Sequence, residues 1–356
     1  MSDFAYAGMA RHGRSYFWLW RWPVKSLPVL STVPRSGTWF LRYAISFLSH
    51  LDQGGRIDDR LTGEISGPAS GTAFDFHRFR GGPLFRVRST MPRDHLFIGH
   101  TVCPGFADAA SLFPWWSRTA FHVPGYDYLH EGLNYDYTPV DLAPYEYTRV
   151  SVQALEQASS AGRGDGAALV YRNPVSQAAS YFRYCASNVN PAYNTYEGRP
   201  LADVPFRDYL LGSALPSYAK QFVSFQAMAA RHPGRVLLVP YEHLLARPEE
   251  ALSDLLDHLS GTSGRDRPNL PRALRLARRE HLRAIEVELG HSLDGTRAAN
   301  GSHMRQGDLG LRLDDRIRDQ AISRLQTMGI DVDLFAWSAV KDLEDFPSQA
   351  MAVAAE

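Results

Sequence analysis

The chain has 356 residues, of which 44% are hydrophobic, so it is long enough for one large α/β domain or two small ones. Basic and acidic residues number 38 each, and the formal net charge of zero provides no overall field that would attract nucleic acid or an anionic membrane. We therefore expect no nucleic-acid partner, and any anion-binding site must be built locally.

The N-terminal segment, residues 1–26, is aromatic, but its apolar stretch is too short to span a bilayer and lacks the small-residue cleavage pattern of a secretory signal. The two cysteines, Cys103 and Cys185, have no spacing partners that would indicate a zinc site or a redox pair. These features predict a soluble, cytoplasmic protein without a membrane span. An interfacial anchor formed by the tryptophans between residues 18 and 22 is the alternative.

The stretch 27–51 predicts a strand, a tight turn and a helix, and the rest of the chain is organised around it. Apolar residues between positions 29 and 33 suit a buried parallel strand, and Pro34 ends it because proline has no N–H for the ladder. From Trp39 onward the apolar residues recur at helical spacing, and the two glycines at 54–55 stop that pattern.

The turn between this strand and this helix has the chemistry of an anion site. Unpaired backbone N–H groups and the positive end of the helix dipole point into it, and Gly37 allows a ligand to approach the backbone. Ser36 and Thr38 add hydroxyl donors, and Arg35 adds a forked charge suited to oxyanions. The spacing is not that of the ATPase and GTPase loop. We therefore predict a phosphate or sulfate ligand; an ordinary strand-to-helix turn is the alternative.

Further apolar strands are predicted at residues 95–100, 167–174 and 235–240, and helical patterns follow several of them. This alternation predicts an α/β domain with a central, mostly parallel sheet that is flanked by helices on both faces. Three stretches rich in glycine, proline and aromatic residues interrupt the alternation. They span 54–94, 105–150 and 186–215, and long insertions of this kind usually carry specificity or form lids.

The second candidate turn follows the strand predicted at 167–171. Arg172 lies at the carboxyl end of this strand, Asn173 is a good N-cap, and Pro174 suits the first position of the next helix. Ser180 lies about two helical turns further on. Because ligands of open parallel sheets bind at the carboxyl ends of the strands, Arg172 and Ser180 can both reach a phosphate there. A simple helix cap is the alternative.

The two turns together resemble the nucleotide-binding motifs of the sulfotransferases that use 3′-phosphoadenosine 5′-phosphosulfate (PAPS). The segment PRSGTWFLR resembles the 5′-phosphosulfate loop of this family, and YRNPVSQAASYF resembles its 3′-phosphate motif, in which seven residues separate an arginine and a serine. The family's lysine falls on Arg35, a variation also seen in carbohydrate and tyrosyl-protein sulfotransferases. The family's second threonine and its adenine-stacking tryptophan fall on Trp39 and Phe40. The resemblance thus implies nucleotide-binding roles for Arg35, Ser36, Gly37, Thr38, Trp39, Phe40, Arg172 and Ser180.

Two later segments extend the resemblance. A strand ending in Tyr-Glu, followed by a helix, resembles a family unit and puts Tyr241 where the family's tyrosine contacts the adenine. The segment HMRQGDLG resembles the loop that closes over the 3′-phosphate, with Arg305 and Gly307 matched and Gln306 in place of a lysine. At 278–279 two arginines replace the family's Ser-Phe pair, which helps to hold the adenine.

The resemblance also indicates a catalytic base. His100 follows a strand and precedes a proline-containing turn, as the family's catalytic histidine does, and a reference pKa of about 6.5 suits that role. The family's lysine two residues earlier is Ile98 here, so Arg35 is expected to carry more of the catalytic charge stabilisation. His77 and Glu64 are the alternative bases.

The resemblance covers about residues 27–337 and implies a single domain over 1–356 with the P-loop-like sulfotransferase fold. It implies transfer of a sulfuryl group from PAPS to a hydroxyl of a small molecule, release of 3′-phosphoadenosine 5′-phosphate (PAP), and no metal. The aromatic residues of the insertion after His100, residues 105–150, suit a phenol, a sugar or a natural product as acceptor, and packing of these residues over the core is the alternative. Two alternatives are a degenerate nucleotide-binding scaffold and an ATP-dependent kinase, and the oligomeric state is left open.

Overall fold

The structure, a computed structural model, describes residues 10–11, 14–15, 28–52, 84–86, 95–99, 103, 166–186, 195–196, 198–261, 263–264, 266–289 and 315–337. The strands in these ranges are β1 Ala10–Arg11, β2 Arg14–Ser15, β3 Val29–Thr32, β4 Leu84–Arg86, β5 His95–Gly99, β6 Ala167–Tyr171, β7 Thr195–Tyr196, β8 Arg199–Pro200 and β9 Val236–Pro240. The α-helices are α1 Thr38–Asp52, α2 Pro174–Ala186, α3 Phe206–Tyr209, α4 Leu215–Arg231, α5 Tyr241–Ala246, α6 Pro248–Ser260, α7 Leu270–Leu276, α8 Arg279–Leu289 and α9 Asp315–Thr327. Short 3₁₀ segments at Leu201–Asp203 and Val332–Leu334 and a π-helical turn at Leu210–Ala214 complete the set.

The central sheet has five strands in the order β4-β5-β3-β6-β9. Neighbouring strands from β5 to β9 run parallel, and β4 pairs antiparallel with β5 at one edge. The chain goes from β3 to β5 on one side and then crosses to β6 on the other side of β3. The sheet order therefore reverses beside β3, and the carboxyl ends of β3 and β6 flank the position where open α/β sheets bind ligands.

Helices cover both faces of the sheet, as the alternation of strands and helices predicted. Along β6, Leu169 and Tyr171 belong to a core that also contains side chains of α2, α4 and α9. Ala168 and Val170 point the other way and join a core formed with α1, α6 and α7. Successive residues of a strand point to opposite faces, so β6, which is covered on both sides, has apolar or aromatic residues at every position. The predicted α/β class is confirmed.

The helix α6 shows how local sequence sets the element bounds. Pro248 occupies the first turn, where its missing N–H is not needed, and Gly261 follows the last residue with a left-handed φ of 64°. The acidic residues in the first turn interact favourably with the positive end of the helix dipole. The apolar stripe of α6 is fully buried and consists of Leu252, Leu255, Leu256 and Leu259.

Three details differ from the expectations. The strand β4 lies inside the stretch 54–94, which was expected to be an insertion throughout, and it adds an antiparallel edge to the sheet. Tyr241 was expected at the end of a strand, but it begins the short helix α5, because Pro240 cannot continue the ladder as a donor. The stretch 186–215 also contributes buried side chains to the core that contains Leu169 and Tyr171, among them Tyr196, Leu201 and Tyr209.

Candidate functional site

The first predicted turn lies at the carboxyl end of β3 and leads into α1. Ser36 N–H donates to the Val33 carbonyl at 3.1 Å, and Leu41 N–H donates to the Gly37 carbonyl at 2.9 Å as the helix begins. Two residues of the turn are left-handed, Arg35 with a φ of 69° and Gly37 with a φ of 81°. A left-handed residue next to right-handed ones brings successive N–H groups to one side of the chain, which is a common anion-binding geometry.

The hydroxyl groups of this turn fall into two environments. Thr38 Oγ1 is 2.7 Å from Thr32 Oγ1, so Thr38 ties the first turn of α1 to the strand. Ser36 is fully buried, and its hydroxyl has no hydrogen-bond partner in the described part of the chain. A buried hydroxyl without a partner costs free energy, and an oxyanion in the turn would satisfy it. The donor set of the turn therefore fits the anion that its sequence predicted.

The second turn joins β6 to α2 and is capped as the sequence indicates. Asn173 Oδ1 accepts from the N–H groups of Val175 at 3.0 Å and Ser176 at 3.2 Å, and Pro174 is the first residue of α2. One turn into the helix, Gln177 Nε2 donates to the Pro34 carbonyl at 2.8 Å. This bond fixes the second turn directly to the first.

The charged and hydroxyl side chains of the two turns meet between them. Arg35 Nε donates to Ser180 Oγ at 3.4 Å, although the two residues are 145 positions apart. The Arg35 guanidinium carbon also lies 5.2 Å from the centre of the Tyr184 ring. Ser180 accepts this bond, so its own O–H can donate to a ligand. The structure thus brings Arg35 of the predicted 5′-phosphosulfate loop against Ser180 of the predicted 3′-phosphate motif.

Tyr241 completes the same region from the end of β9. A Cβ built on Gly37 would lie 2.8 Å from Tyr241 Cε2, so the ring packs directly on the glycine. The Arg172 guanidinium carbon lies 5.5 Å from the centre of the same Tyr241 ring. Burial lowers the pKa of the half-buried Arg279, while Glu280 and then Tyr241 act to raise it.

Several supporting contacts were not predicted from the sequence. Tyr218 Oη donates to the Arg172 carbonyl at 2.8 Å, and Asn173 N–H donates to Glu242 Oε1 at 3.5 Å. Gln221 Nε2, on α4, donates to Ser31 Oγ and to the Thr32 carbonyl, both at 2.9 Å. The sequence signal for Gln221 is a row of polar residues along one face of α4, Ser217, Gln221 and Ser224, and a buried amide in such a row needs a hydrogen-bond partner.

Burial also perturbs the tyrosines under the second turn. It raises the pKa of Tyr171 from 10.0 to about 12, with Glu242 and Asp331 contributing in the same direction. Burial raises the pKa of Tyr218 as well, with smaller contributions from Tyr171 and Glu242. Both phenols act as donors, since Tyr171 Oη donates to the Leu334 carbonyl at 3.1 Å and Tyr218 Oη donates to the Arg172 carbonyl at 2.8 Å.

The strand β5 is anchored near its carboxyl end. Arg42 donates to the Ile98 carbonyl through Nη2 at 2.9 Å and Nε at 3.3 Å. The Ile98 side chain is fully buried in the core beside α1, at the position where the sequence resemblance implied a lysine in other proteins. Trp39 stacks on Tyr43 with ring centres 6.0 Å apart, and Phe40 packs against the same core.

Other predicted residues lie outside the described ranges. These are the base His100, its alternatives His77 and Glu64, the loop residues Arg305, Gln306 and Gly307, and the aromatic residues of the stretch 105–150. In the ranges that the structure does describe, no three metal-ligating side chains lie close enough to hold an ion. No helix among the described residues has the length and apolar character needed to cross a membrane.

No protein-family model matches the chain, and no curated protein matches it in sequence. Among solved structures, the chain is similar to mouse sulfotransferase SULT7A1 complexed with PAP, with 14% identity and a TM-score of 0.44 over 95% of this chain and 98% of that one. Retinol dehydratase with androsterone and PAP has 14% identity and a TM-score of 0.45 over 88% and 84%. The sulfotransferase domain from the curacin biosynthetic pathway has 13% identity and a TM-score of 0.37 over 86% and 98%. Since these TM-scores lie below 0.5, the assignment of function has to come from the geometry of the site.

Proposed function

We propose that the protein is a PAPS-dependent sulfotransferase that acts on a hydroxyl group of a small molecule. The observation that carries the proposal is the junction of the two strand-to-helix turns, where Arg35 Nε contacts Ser180 Oγ at the position where the sheet order reverses. Each turn alone is a common structural feature. Two such turns with side chains in contact can hold the two phosphorylated ends of one nucleotide.

Each described residue has a chemical task in this proposal. Arg35, Ser36 and the backbone N–H groups of the first turn would hold the 5′-phosphosulfate, and the unpartnered Ser36 hydroxyl supports that assignment. Arg172 and Ser180 would hold the 3′-phosphate. Tyr241, whose ring lies against Gly37 and close to the Arg172 guanidinium, would contact the adenine. Arg35, Arg172, Ser180 and Tyr241 are each half-buried, which leaves part of each side chain accessible to a ligand.

Bound PAPS would supply the sulfuryl group, which is transferred to the acceptor oxygen while its bond to the 5′-phosphate oxygen breaks. Arg35 stays protonated at every working pH, so it would stabilise charge on the leaving phosphate and would not donate a proton to it. His100, which directly follows β5 in the sequence, would accept the proton of the acceptor hydroxyl. Positioning and charge stabilisation would provide most of the rate, by analogy with phosphoryl transfer.

The proposed acceptor is a phenol, a sugar hydroxyl or an amphipathic natural product, because the insertions are rich in aromatic side chains with polar ends. We propose a cytoplasmic location, in keeping with the two cysteines that have no spacing partners. A second candidate function is a nucleotide-binding scaffold without turnover. It is favoured by one observation, the fully buried Ile98 at the position of the family's lysine.

The test is transfer of radiolabelled sulfate from PAPS to a panel of phenols, sugars and natural products. Wild type should label an acceptor of this panel. The control variant Arg247→Ala, which removes an exposed arginine just before α6, should label the same acceptor. Arg35→Ala should abolish labelling. Turnover that requires ATP and Mg²⁺ would replace the proposal by the kinase alternative, and PAP binding without any labelled acceptor would favour the scaffold.

A further inference from the structure

Arg35 is held in an unusual backbone conformation. Among the described residues it is the one non-glycine with a positive φ, at 69°. Such a conformation persists only where the surrounding contacts determine it, and it directs the side chain away from the path that a right-handed residue would take. The side chain of Arg35 leaves the turn toward α2, where Ser180 and Tyr184 receive it.

Ser180 and Tyr184 are one helical turn apart on α2, so they contact the guanidinium from the same helix face. Ser180 Oγ bonds the Nε edge at 3.4 Å, and the Tyr184 ring lies 5.2 Å from the guanidinium carbon. The Tyr184 ring is 8% exposed and packs on Tyr181 with ring centres 5.9 Å apart, which limits its own movement. An edge contact and an aromatic contact together restrict the orientation of a planar cation.

We propose that Tyr184 is a positioning residue that orients the Arg35 guanidinium toward the sulfated 5′ end of the nucleotide; the ligand named here rests on the proposed function. The chemical reason is the replacement of lysine by arginine in the first turn. A guanidinium is planar and stacks on aromatic rings, whereas an ammonium is a compact charge that needs no fixed plane. Tyr184 thus supplies the contact that makes an arginine effective at this position.

The probes are PAP and inorganic pyrophosphate, each titrated by calorimetry, since pyrophosphate presents the anion without the nucleoside. Tyr184→Leu should weaken binding of both probes about 3- to 30-fold, the range expected for a partly desolvated cation–π contact. Tyr184→Phe, which keeps the ring, should stay within about twofold of wild type. Tyr184→Met is made as well, because one buried substitution can fail to fold, and urea unfolding identifies the variants that are native.

The matched control is Phe182→Leu, which removes a ring of the same helix that packs on Phe206 and Tyr209. It should leave both affinities within about twofold of wild type. In an Arg35→Lys background, Tyr184→Leu should weaken binding of the probes less than it does in wild type, because lysine has no planar guanidinium for the ring to orient. The four proteins form a double-mutant cycle that measures the coupling between residues 35 and 184. A merely structural role for Tyr184 would weaken binding equally in both backgrounds.

The outcomes separate the two proposals. Binding of PAP by wild type together with equal effects of Tyr184→Leu and Phe182→Leu would overturn the positioning role and leave the proposed function standing. Binding of pyrophosphate but not PAP would overturn the proposed function, and the Tyr184 comparison would still be decided on pyrophosphate. Binding of neither probe by wild type would overturn both.

Discussion

The substitution Gly37→Ala tests whether the first turn is built for close approach. Gly37 has a φ of 81°, and an added Cβ would lie 2.8 Å from Tyr241 Cε2 and 3.2 Å from Tyr241 Cδ2. The positive φ costs a residue with a Cβ about 1–2 kcal/mol. Displacing the packed ring adds about 1–3 kcal/mol. The free energy of unfolding should therefore fall by about 2–5 kcal/mol relative to wild type.

Gly234→Ala separates the two contributions. Gly234 has nearly the same φ, 80°, but a Cβ there would have no neighbour within 4 Å. Urea unfolding should give it the backbone penalty of about 1–2 kcal/mol alone. Calorimetric titration with PAP should show an affinity within about twofold of wild type for Gly234→Ala and at least a tenfold loss for Gly37→Ala. Equal unfolding losses for the two variants, or a wild-type PAP affinity for Gly37→Ala, would refute the reasoning.

Three further predictions address the base, the buried phenol and the buried amide. His100→Ala should lower sulfate turnover at least about a hundredfold and leave PAP binding nearly intact, and near-normal turnover would remove His100 from the mechanism. The pKa of Tyr171 is raised to about 12, so between pH 10 and 12 the folded state keeps a proton that the unfolded state releases, and stability falls as pH rises. Between pH 9 and pH 11 the urea midpoint of unfolding should fall more for wild type than for Tyr171→Phe. An equal fall for both proteins would contradict the raised pKa of Tyr171. Gln221→Ala should lower the free energy of unfolding by about 1–3 kcal/mol. Gln320→Ala, which removes an exposed hydrogen bond, should stay within about 0.5 kcal/mol, and similar losses for both would contradict the buried role of Gln221.

The sequence predicted those parts of the fold that depend on local periodicity and caps. The apolar stripe of α1 is buried as expected at Tyr43, Phe47 and Leu48. Asn173 caps α2 as its residue type and position indicate. The cap is predictable because it depends only on the Asn173 side chain and the N–H groups that follow it closely in the chain, such as that of Val175. The positions of the two strand-to-helix turns therefore follow from local sequence alone, without any contact between the turns.

Contacts between distant segments could not be predicted in the same way. Gln221 and Ser31 are 190 positions apart, and their hydrogen bond depends on how α4 lies across the sheet. In the sequence, Tyr184 is indistinguishable from the other aromatic and apolar residues of α2. Its contact with Arg35 depends on the packing of α2 against the first turn. The strand β4 has three residues, which is too short for a period-two pattern to stand out.

The central claim is that the two turns hold one nucleotide by its two phosphorylated ends. Calorimetric titration with PAP, with ATP and ADP as comparison ligands, tests it most directly, using wild type, Arg172→Ala and the surface control Arg247→Ala. We expect micromolar binding of PAP, about −8 kcal/mol, that requires the 3′-phosphate, survives in Arg247→Ala and is lost in Arg172→Ala. Absence of PAP binding, or a preference for ATP, would contradict it.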